Sequence, residues 1–192
     1  MDIYQKRYLN HQKRKADFIK NGYGDDLTYY DSRIRFHLFN ILDNRRSQRV
    51  FNDEPITEDM FIKLIAAMEM APSSCDRRGV KGRFVKNRNE IEDISKRLVG
   101  GRGWADKAKA MILLYADMRA YKSPVEKDYM PYLDTGFMGQ NIYLVCETHT
   151  LGCCFINPNV KDKKTFDARY LTKHQRLMGV MALGYYDRKA ML

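Results

Sequence analysis

Residues 55–72 read PITEDMFIKLIAAMEMAP, a stretch that contains the start and the end of one helix. Thr57 can cap the first turn through its hydroxyl, and the two acidic residues after it complement the positive end of the helix dipole. Pro72 ends the helix, because the residue before a proline is disfavoured in the α conformation. The apolar side chains that recur at the spacing of one buried helical face are Phe61, Leu64, Ile65 and Met68.

The remaining framework is predicted from shorter hydrophobic stretches on both sides of this helix. Strands are expected at residues 82–85, 110–116, 153–156 and 179–185, and a short extended piece at 49–51. Further helices are expected at residues 32–44, 89–98 and 134–149, with the region around Pro124 and Pro131 as a loop. Helices interleaved with a few short strands predict a layered α+β domain.

The first 30 residues differ in character from the rest of the chain. They are rich in charge and tyrosine, and their heptad pattern is weak. We interpret residues 1–30 as a basic N-terminal extension and residues 31–192 as a single domain. A chain of 192 residues is long enough to bury a sizeable core.

The charge balance favours an anionic partner without identifying it. Lysine and arginine number 34 against 24 acidic residues, a formal net charge of +10. Nucleic acid is an unlikely partner, since the sequence has no RNP, helix-turn-helix or zinc signature. No apolar run reaches the roughly 20 residues of a membrane helix, and no secretory signal opens the chain, so we expect a cytoplasmic protein without a membrane partner.

The four cysteines give no sign of a metal site. They stand at positions 75, 146, 153 and 154 without a CxxC spacing, and the histidines are scattered. Adjacent cysteines at 153 and 154 do not form an easy disulfide. We therefore expect buried free thiols and no bound metal.

A basic segment, Arg45-Arg46-Ser47-Gln48-Arg49, is the first candidate for ligand binding. Guanidinium forks match phosphate oxygens, and a serine hydroxyl adds a neutral donor. Alternation in an extended stretch would put Arg45, Ser47 and Arg49 on one side and Arg46 on the other. The alternative, a solvated basic end of a helix, is open on this segment alone.

A second candidate is the polar turn that follows the helix of residues 55–72. A helix that runs into Pro72, Ser73 and Ser74 leaves backbone amides and small hydroxyls exposed, and these could line the edge of a flat ring. An ordinary surface loop is the alternative. Farther along, small residues in the predicted helix at 134–149 are typical of close helix packing.

In this order, the segments resemble the nitroreductase family of flavoproteins. The family's Arg-Arg-Ser-x-Arg-x-Phe pattern is matched at residues 45–51, and its Ala-Pro-Ser turn at residues 71–73. Its Gln-Asn helix is matched at residues 140–144, and its last strand, of the type apolar-Ala-Leu-Gly-Tyr, at residues 180–185. The resemblance covers roughly residues 34–186.

The resemblance implies a homodimer with a central, mainly antiparallel sheet flanked by helices and FMN at the subunit interface. Segment 45–49 would hold the flavin phosphate and pyrimidine side through Arg45, Arg46, Ser47 and Arg49. Pro72, Ser73, Ser74 and Asp76 would line the ring from the partner chain, and Arg188 is a candidate for a further phosphate contact. NADH or NADPH would be the electron donor, and a nitroaromatic or quinone the acceptor.

Departures from the family pattern leave the reaction itself open. Asp76 stands where the family usually has asparagine, and Arg78 and Gly79 replace the residues that follow. A negative charge near the ring could raise the cost of reducing the flavin, unless a neighbouring arginine neutralises it. The alternative is a flavin-binding protein with a narrower or lost activity, such as dehalogenation, flavin breakdown or sensing. The sequence assigns no catalytic residue.

Overall fold

A computed structural model describes residues 32–187, with side chains from residue 37 onward. The chain divides into two compact units after Asn40, and residues 41–187 are the described part of the second. The predicted extension at residues 1–30 and the candidate Arg188 lie outside the described residues.

The centre of the domain is an antiparallel sheet. The described residues form four strands, β1 (Val80–Val85), β2 (Ala110–Asp117), β3 (Leu151–Ile156) and β4 (Gln175–Tyr185). Their order across the sheet is β1-β2-β4-β3, and every neighbouring pair is antiparallel. This confirms the predicted α+β class and the four predicted strands.

Helices cover both faces of the sheet. The helices of the described residues are α1 (Ser32–Asn44), α2 (Glu58–Glu69), α3 (Arg88–Arg97), α4 (Pro124–Thr148) and α5 (Lys163–Tyr170), and the last four pack on the sheet. Side chains of α2 and α4 pack with Ile112 and Leu114 of β2 in one core layer. Side chains of α3 and α5 pack with Met111 and Leu113 in the other. Because side chains alternate along a strand, β2 contributes to both layers and is buried throughout most of its length.

Helix α2 confirms most of the prediction made from residues 55–72. The Met60 amide donates to the Thr57 hydroxyl at 3.3 Å, so Thr57 is the N-cap. Phe61, Leu64 and Met68 are buried, but Ile65 is not: 47% of its surface is exposed. The buried stripe runs through Met60 and Ala67 instead, and Ile65 lies at its edge.

Two helical predictions were incomplete. Helix α4 begins at Pro124 rather than near Asp134, because a proline is tolerated in the first turn and Ser123 caps it. Pro131 lies inside the helix, where it cannot bond the carbonyl of Lys127; the Arg176 guanidinium donates to that carbonyl at 2.9 Å instead. Helix α5 was not predicted at all.

Two smaller expectations also need correction. Residues 49–51 belong to no strand, and the basic segment makes a single bridge, between Ser47 and Cys153. All four cysteines are free, and three are buried as expected, but Cys75 is exposed.

Candidate functional site

The basic segment lies beside β3, at the edge of the sheet, and the chain after it reaches the end of β4. It leaves α1 where the Arg45 amide donates to the carbonyl of Ile41 at 2.9 Å. The Gln48 amide donates to the carbonyl of Cys153 in β3 at 2.9 Å, and the Asn52 amide to that of Tyr185 in β4 at 2.8 Å. These last two bonds hold Gln48, and the chain just after the segment, against the sheet.

Two glycines allow this close approach. A Cβ atom on Gly152 would lie 2.9 Å from the Cβ of Gln48, and one on Gly184 would lie 2.9 Å from the Phe51 side chain. Contacts this short do not occur between real side chains, so larger residues in β3 and β4 would push the segment off the sheet. Gly152 and Gly184 therefore allow Gln48 and Phe51 to lie directly against the sheet.

Arg45 and Ser47 converge on one aromatic side chain, Tyr143 of α4. The Arg45 guanidinium carbon lies 4.9 Å from the centre of the Tyr143 ring, a cation–π distance. The Ser47 hydroxyl lies 3.2 Å from the Tyr143 hydroxyl, which also accepts a hydrogen bond from the Phe155 amide at 2.7 Å. Tyr143 thus joins the basic segment to α4 and to β3.

Arg49 is placed beside a second aromatic group. Its guanidinium carbon lies 5.7 Å from the centre of the Trp104 ring, and Trp104 is the single tryptophan of the chain. Among residues 37–187, neither Arg45 nor Arg49 is within ion-pair distance of a carboxylate. Both cations are thus positioned by aromatic faces, and their N–H groups are available to an anionic ligand.

Arg46 makes contacts of a different kind from those of Arg45 and Arg49. Its guanidinium donates to the carbonyl of Asp43 and, at 3.0 Å, to that of Arg45. Carbonyls in the last turn of a helix have no partner within the helix, so Arg46 caps the end of α1. The structure thus gives Arg46 a structural contact of its own, separate from Arg45 and Ser47.

Neutral thiols lie behind the basic segment. Burial, together with the neighbouring Cys146 thiol, raises the pKa of Cys153 well above its ordinary value. Burial also raises the pKa of Cys154, although Arg49 and Ser47 act in the opposite direction. Both groups are therefore uncharged at neutral pH and do not offset the positive charge of the segment.

The second candidate segment, residues 72–78, is a tightly folded loop after α2. Cys75, Asp76 and Arg78 all have positive φ angles, between 46° and 54°, which cost energy for residues other than glycine. The Ser73 hydroxyl accepts from the Arg78 amide at 3.1 Å, and Arg78 also donates to two carbonyls at the end of α2. The loop is held in this conformation by its own side chains.

Two buried side chains, Asp134 and Tyr121, hold the loop through a chain of hydrogen bonds. Asp134, buried in α4, accepts a hydrogen bond from the Ser74 amide at 2.8 Å and from the Tyr121 hydroxyl at 2.9 Å. Burial, with the Asp134 carboxylate beside it, raises the pKa of Tyr121, which therefore remains a donor. Gly79 is needed here, since a Cβ atom at this position would lie 2.9 Å from the Tyr121 hydroxyl.

Ion pairs neutralise the charges of the loop. The Arg78 Nε atom lies 2.5 Å from a carboxylate oxygen of Asp76. Arg77 donates two hydrogen bonds to Glu126 of α4, at 2.8 and 3.0 Å. The arginine, aided by the Lys122 amide, lowers the pKa of Glu126 to about 2.

The two candidate segments contact α4 at different points. Asp134 holds the loop, and Tyr143 holds the basic segment. These two residues are nine positions apart in α4, which corresponds to about 13 Å along the helix axis. A cavity of about 190 Å³ opens beside the loop and is lined by Pro72, Ser73, Lys81 and Phe84, among others, but by no residue of segment 45–49. Pro72 is exposed, and Ser73, Ser74 and Asp76 are partly buried. Within one chain, this cavity therefore does not bring the two groups of predicted residues together.

Sequence reasoning missed the residues that position the site. Tyr143 belongs to the matched Gln-Asn helix but was given no role, and Trp104 was not considered. Asp134 was taken only as the start of a helix. Each contacts the site from a distant part of the chain, so no local pattern marks it.

Comparison with known proteins identifies the family. The sequence pattern of the Nitroreductase family matches residues 42–101 and 96–185 of this chain. The chain belongs to the nitroreductase family. The match includes the basic segment, the loop after α2, and all four strands of the sheet.

Solved structures of nitroreductase family proteins share this fold. One is the FMN-dependent nitroreductase of Clostridium difficile R20291, which superposes with a TM-score of 0.68 at 22% identity over 78% of this chain and 88% of that one. Another is a nitroreductase family protein of Streptococcus pneumoniae TIGR4, with a TM-score of 0.70 at 14% identity over 79% of this chain and 91% of that one. Identities this low establish the fold alone.

One curated relative is similar in sequence over a shorter stretch. The FMN reductase (NAD(P)H) of Bacillus subtilis strain 168 is 33% identical over 85 residues. The matched stretch is 44% of this chain and spans only 34% of that protein's length. The name of this relative includes both FMN and NAD(P)H, and that of the Clostridium difficile protein includes FMN.

The described residues contain neither a candidate membrane-spanning helix nor a candidate metal-binding cluster. No helix among them is both long and apolar enough to cross a bilayer. No group of three or more His, Cys, Asp or Glu side chains in residues 37–187 could hold a metal ion.

Proposed function

We propose that this chain is an FMN-dependent oxidoreductase that takes electrons from NADH or NADPH and passes them to a small organic acceptor. A nitroaromatic compound or a quinone is the proposed acceptor class. The observation that carries the proposal is the pair of guanidinium groups, Arg45 and Arg49, held on aromatic faces, with the Ser47 hydroxyl beside the tyrosine that holds Arg45. The FMN reductase and FMN-dependent nitroreductase among the relatives support the same cofactor.

The donor set of the basic segment fits a flavin phosphate. A phosphate needs several hydrogen-bond donors and positive charge. Arg45 and Ser47 offer both, and both contact the same residue, Tyr143. Gly152 and Gly184 keep the backbone of this segment tight against the sheet. We assign Arg45 and Ser47 to the phosphate, Arg46 to the end of α1, and Arg188 to a further phosphate contact.

Arg49 is proposed to act on the flavin ring rather than on the phosphate. Bound FMN supplies the redox chemistry, accepting a hydride from the nicotinamide and passing electrons to the acceptor. Arg49 would place a fixed positive charge beside the pyrimidine side of the ring, where negative charge develops on reduction. Trp104 keeps that charge in place.

A homodimer would complete the site. Residues 72–76 and segment 45–49 contact α4 about 13 Å apart, so we propose that the loop lines the ring bound to the partner chain. An exposed apolar stripe on α4 is the surface proposed to meet the partner. It consists of Val125, Tyr129, Leu133 and Phe137, each at least 48% exposed.

The ion pair of Asp76 favours ordinary turnover over the alternative of a narrower or lost activity. An unpaired carboxylate near the ring would oppose reduction of the flavin, but Arg78 lies 2.5 Å from Asp76 and offsets its charge. The cytoplasmic location remains a prediction.

The proposal is tested by steady-state kinetics with the purified protein. Oxidation of NADH or NADPH should depend on added FMN and should proceed at ordinary enzyme rates with a quinone or a nitrofuran. A protein that binds FMN but oxidises neither nicotinamide with either acceptor would favour the alternative instead.

A further inference from the structure

We propose that Tyr143 orients the Ser47 hydroxyl as a donor toward the cofactor phosphate, and so makes the site select a phosphorylated flavin over an unphosphorylated one. The inference rests on the proposed FMN site and goes beyond it, because it assigns the phosphate selectivity to a residue that would not itself contact the phosphate. Tyr143 would be a positioning residue.

The direction of the hydrogen bonds follows from the Phe155 amide. A backbone N–H can only donate, and this one lies 2.7 Å from the Tyr143 hydroxyl oxygen. The tyrosine oxygen therefore accepts on that side, and its single proton is left for another neighbour. The Ser47 hydroxyl oxygen, 3.2 Å away, is the oxygen in reach.

The Cys154 thiol is the competing neighbour. It interacts with the hydroxyls of both Ser47 and Tyr143, and it donates to the Phe155 carbonyl with a sulfur–oxygen distance of 3.6 Å. Sulfur is a weak acceptor compared with a hydroxyl oxygen. The Tyr143 hydroxyl therefore donates its proton to the Ser47 oxygen in preference to the Cys154 sulfur.

Once Ser47 accepts from Tyr143, its own proton must point elsewhere. The Arg45 guanidinium, stacked on the same tyrosine ring, cannot accept it, since arginine has no acceptor. An anionic oxygen placed beside Arg45 would be the natural acceptor. Tyr143 thus positions both the Arg45 cation and the Ser47 hydroxyl donor for a phosphate. The terminal hydroxyl of an unphosphorylated flavin is uncharged and would be bound only weakly by these two groups.

The test compares FMN and riboflavin binding to the full-length protein by flavin fluorescence. Tyr143→Phe keeps the ring under Arg45 and removes only the hydroxyl. We expect it to weaken FMN binding roughly tenfold, the size of one hydrogen bond to a charged group, and to leave riboflavin binding unchanged. Tyr115→Phe, which removes a tyrosine hydroxyl in β2, is the matched control and should change neither affinity.

A double substitution separates orientation from general weakening. If Tyr143 acts through Ser47, the Tyr143→Phe and Ser47→Ala pair should lose no more FMN affinity than Ser47→Ala alone. Additive losses, equal weakening of both flavins, or an unchanged FMN affinity in Tyr143→Phe would each overturn the inference. A wild-type protein that binds neither flavin would overturn the proposed function, and this inference with it.

Discussion

At the scale of single residues, the arginines of the basic segment make two kinds of contact. Arg45 and Arg49 lie over aromatic rings, and Arg46 caps the end of α1. Alternation in an extended stretch separated Arg46 from the other two, and its contacts do differ from theirs, although residues 49–51 form no strand. The aromatic partners Tyr143 and Trp104 could not be predicted, because they approach from α4 and from the loop before β2.

Removing the charge of Arg49 should make the bound flavin harder to reduce. We expect Arg49→Gln to lower the midpoint potential of bound FMN by about 30 mV, which corresponds to a tenfold change in a two-electron equilibrium. The cause is the loss of a cation that stabilises the reduced ring. A spectroscopic redox titration against a reference dye measures the shift.

The control for this prediction is Arg49→Lys, which keeps the positive charge. Its potential should remain within about 10 mV of the wild-type value. If Arg49→Gln and Arg49→Lys have the same potential as the wild type, Arg49 does not act on the ring.

At the scale of elements, helix α4 shows why a correct pattern can predict the wrong boundary. The sequence around Pro124 and Pro131 reads as a loop, because proline usually breaks a helix. The first proline lies in the first turn, where it costs nothing. The second is tolerated because Arg176, at the start of β4, donates to the carbonyl of Lys127. Such compensation depends on tertiary contacts and leaves no trace in the local sequence.

This compensation can be measured by a double-mutant cycle. Arg176→Ala should lower the free energy of unfolding by about 1 kcal/mol, because it leaves the Lys127 carbonyl without its donor. In a Pro131→Ala background the helix regains an N–H that can bond this carbonyl, so the same substitution should cost much less. Urea unfolding of the four proteins gives the coupling between the two sites.

Equal costs of Arg176→Ala in both backgrounds would contradict this account of α4. The guanidinium would then stabilise the protein through some other contact, and the tolerance of Pro131 would need another cause.

At the scale of the whole molecule, the α+β class and all four strands were predicted, because alternating and continuous apolar stretches are strong signals. The order of the strands was not predicted, since it depends on pairing between distant segments. The candidate site was predicted as two separate groups of residues. Only the structure shows that one chain holds them at different points of α4.

The proposed dimer predicts a specific effect of charge on the exposed face of α4. Phe137→Glu should weaken self-association at least tenfold, because the contact would have to bury a carboxylate without a partner. Sedimentation velocity over a range of protein concentrations measures it. Val99→Glu, at a comparably exposed apolar residue after α3, is the control and should leave the oligomeric state unchanged.

A Phe137→Glu protein with the same association constant as the wild type would show that this stripe is not the dimer surface. A dimer that brings the partner's loop to the flavin ring would then have to form through another face of the molecule.

The central claim is that the segment of Arg45, Ser47 and Arg49 holds a flavin that a reduced nicotinamide can reduce. The most direct test is the anaerobic visible spectrum of the purified protein after incubation with FMN and removal of the unbound flavin, before and after addition of NADPH or NADH. The account predicts a retained flavin absorbance that is bleached by at least one of the two nicotinamides. A protein that remains colourless after incubation with FMN would contradict it.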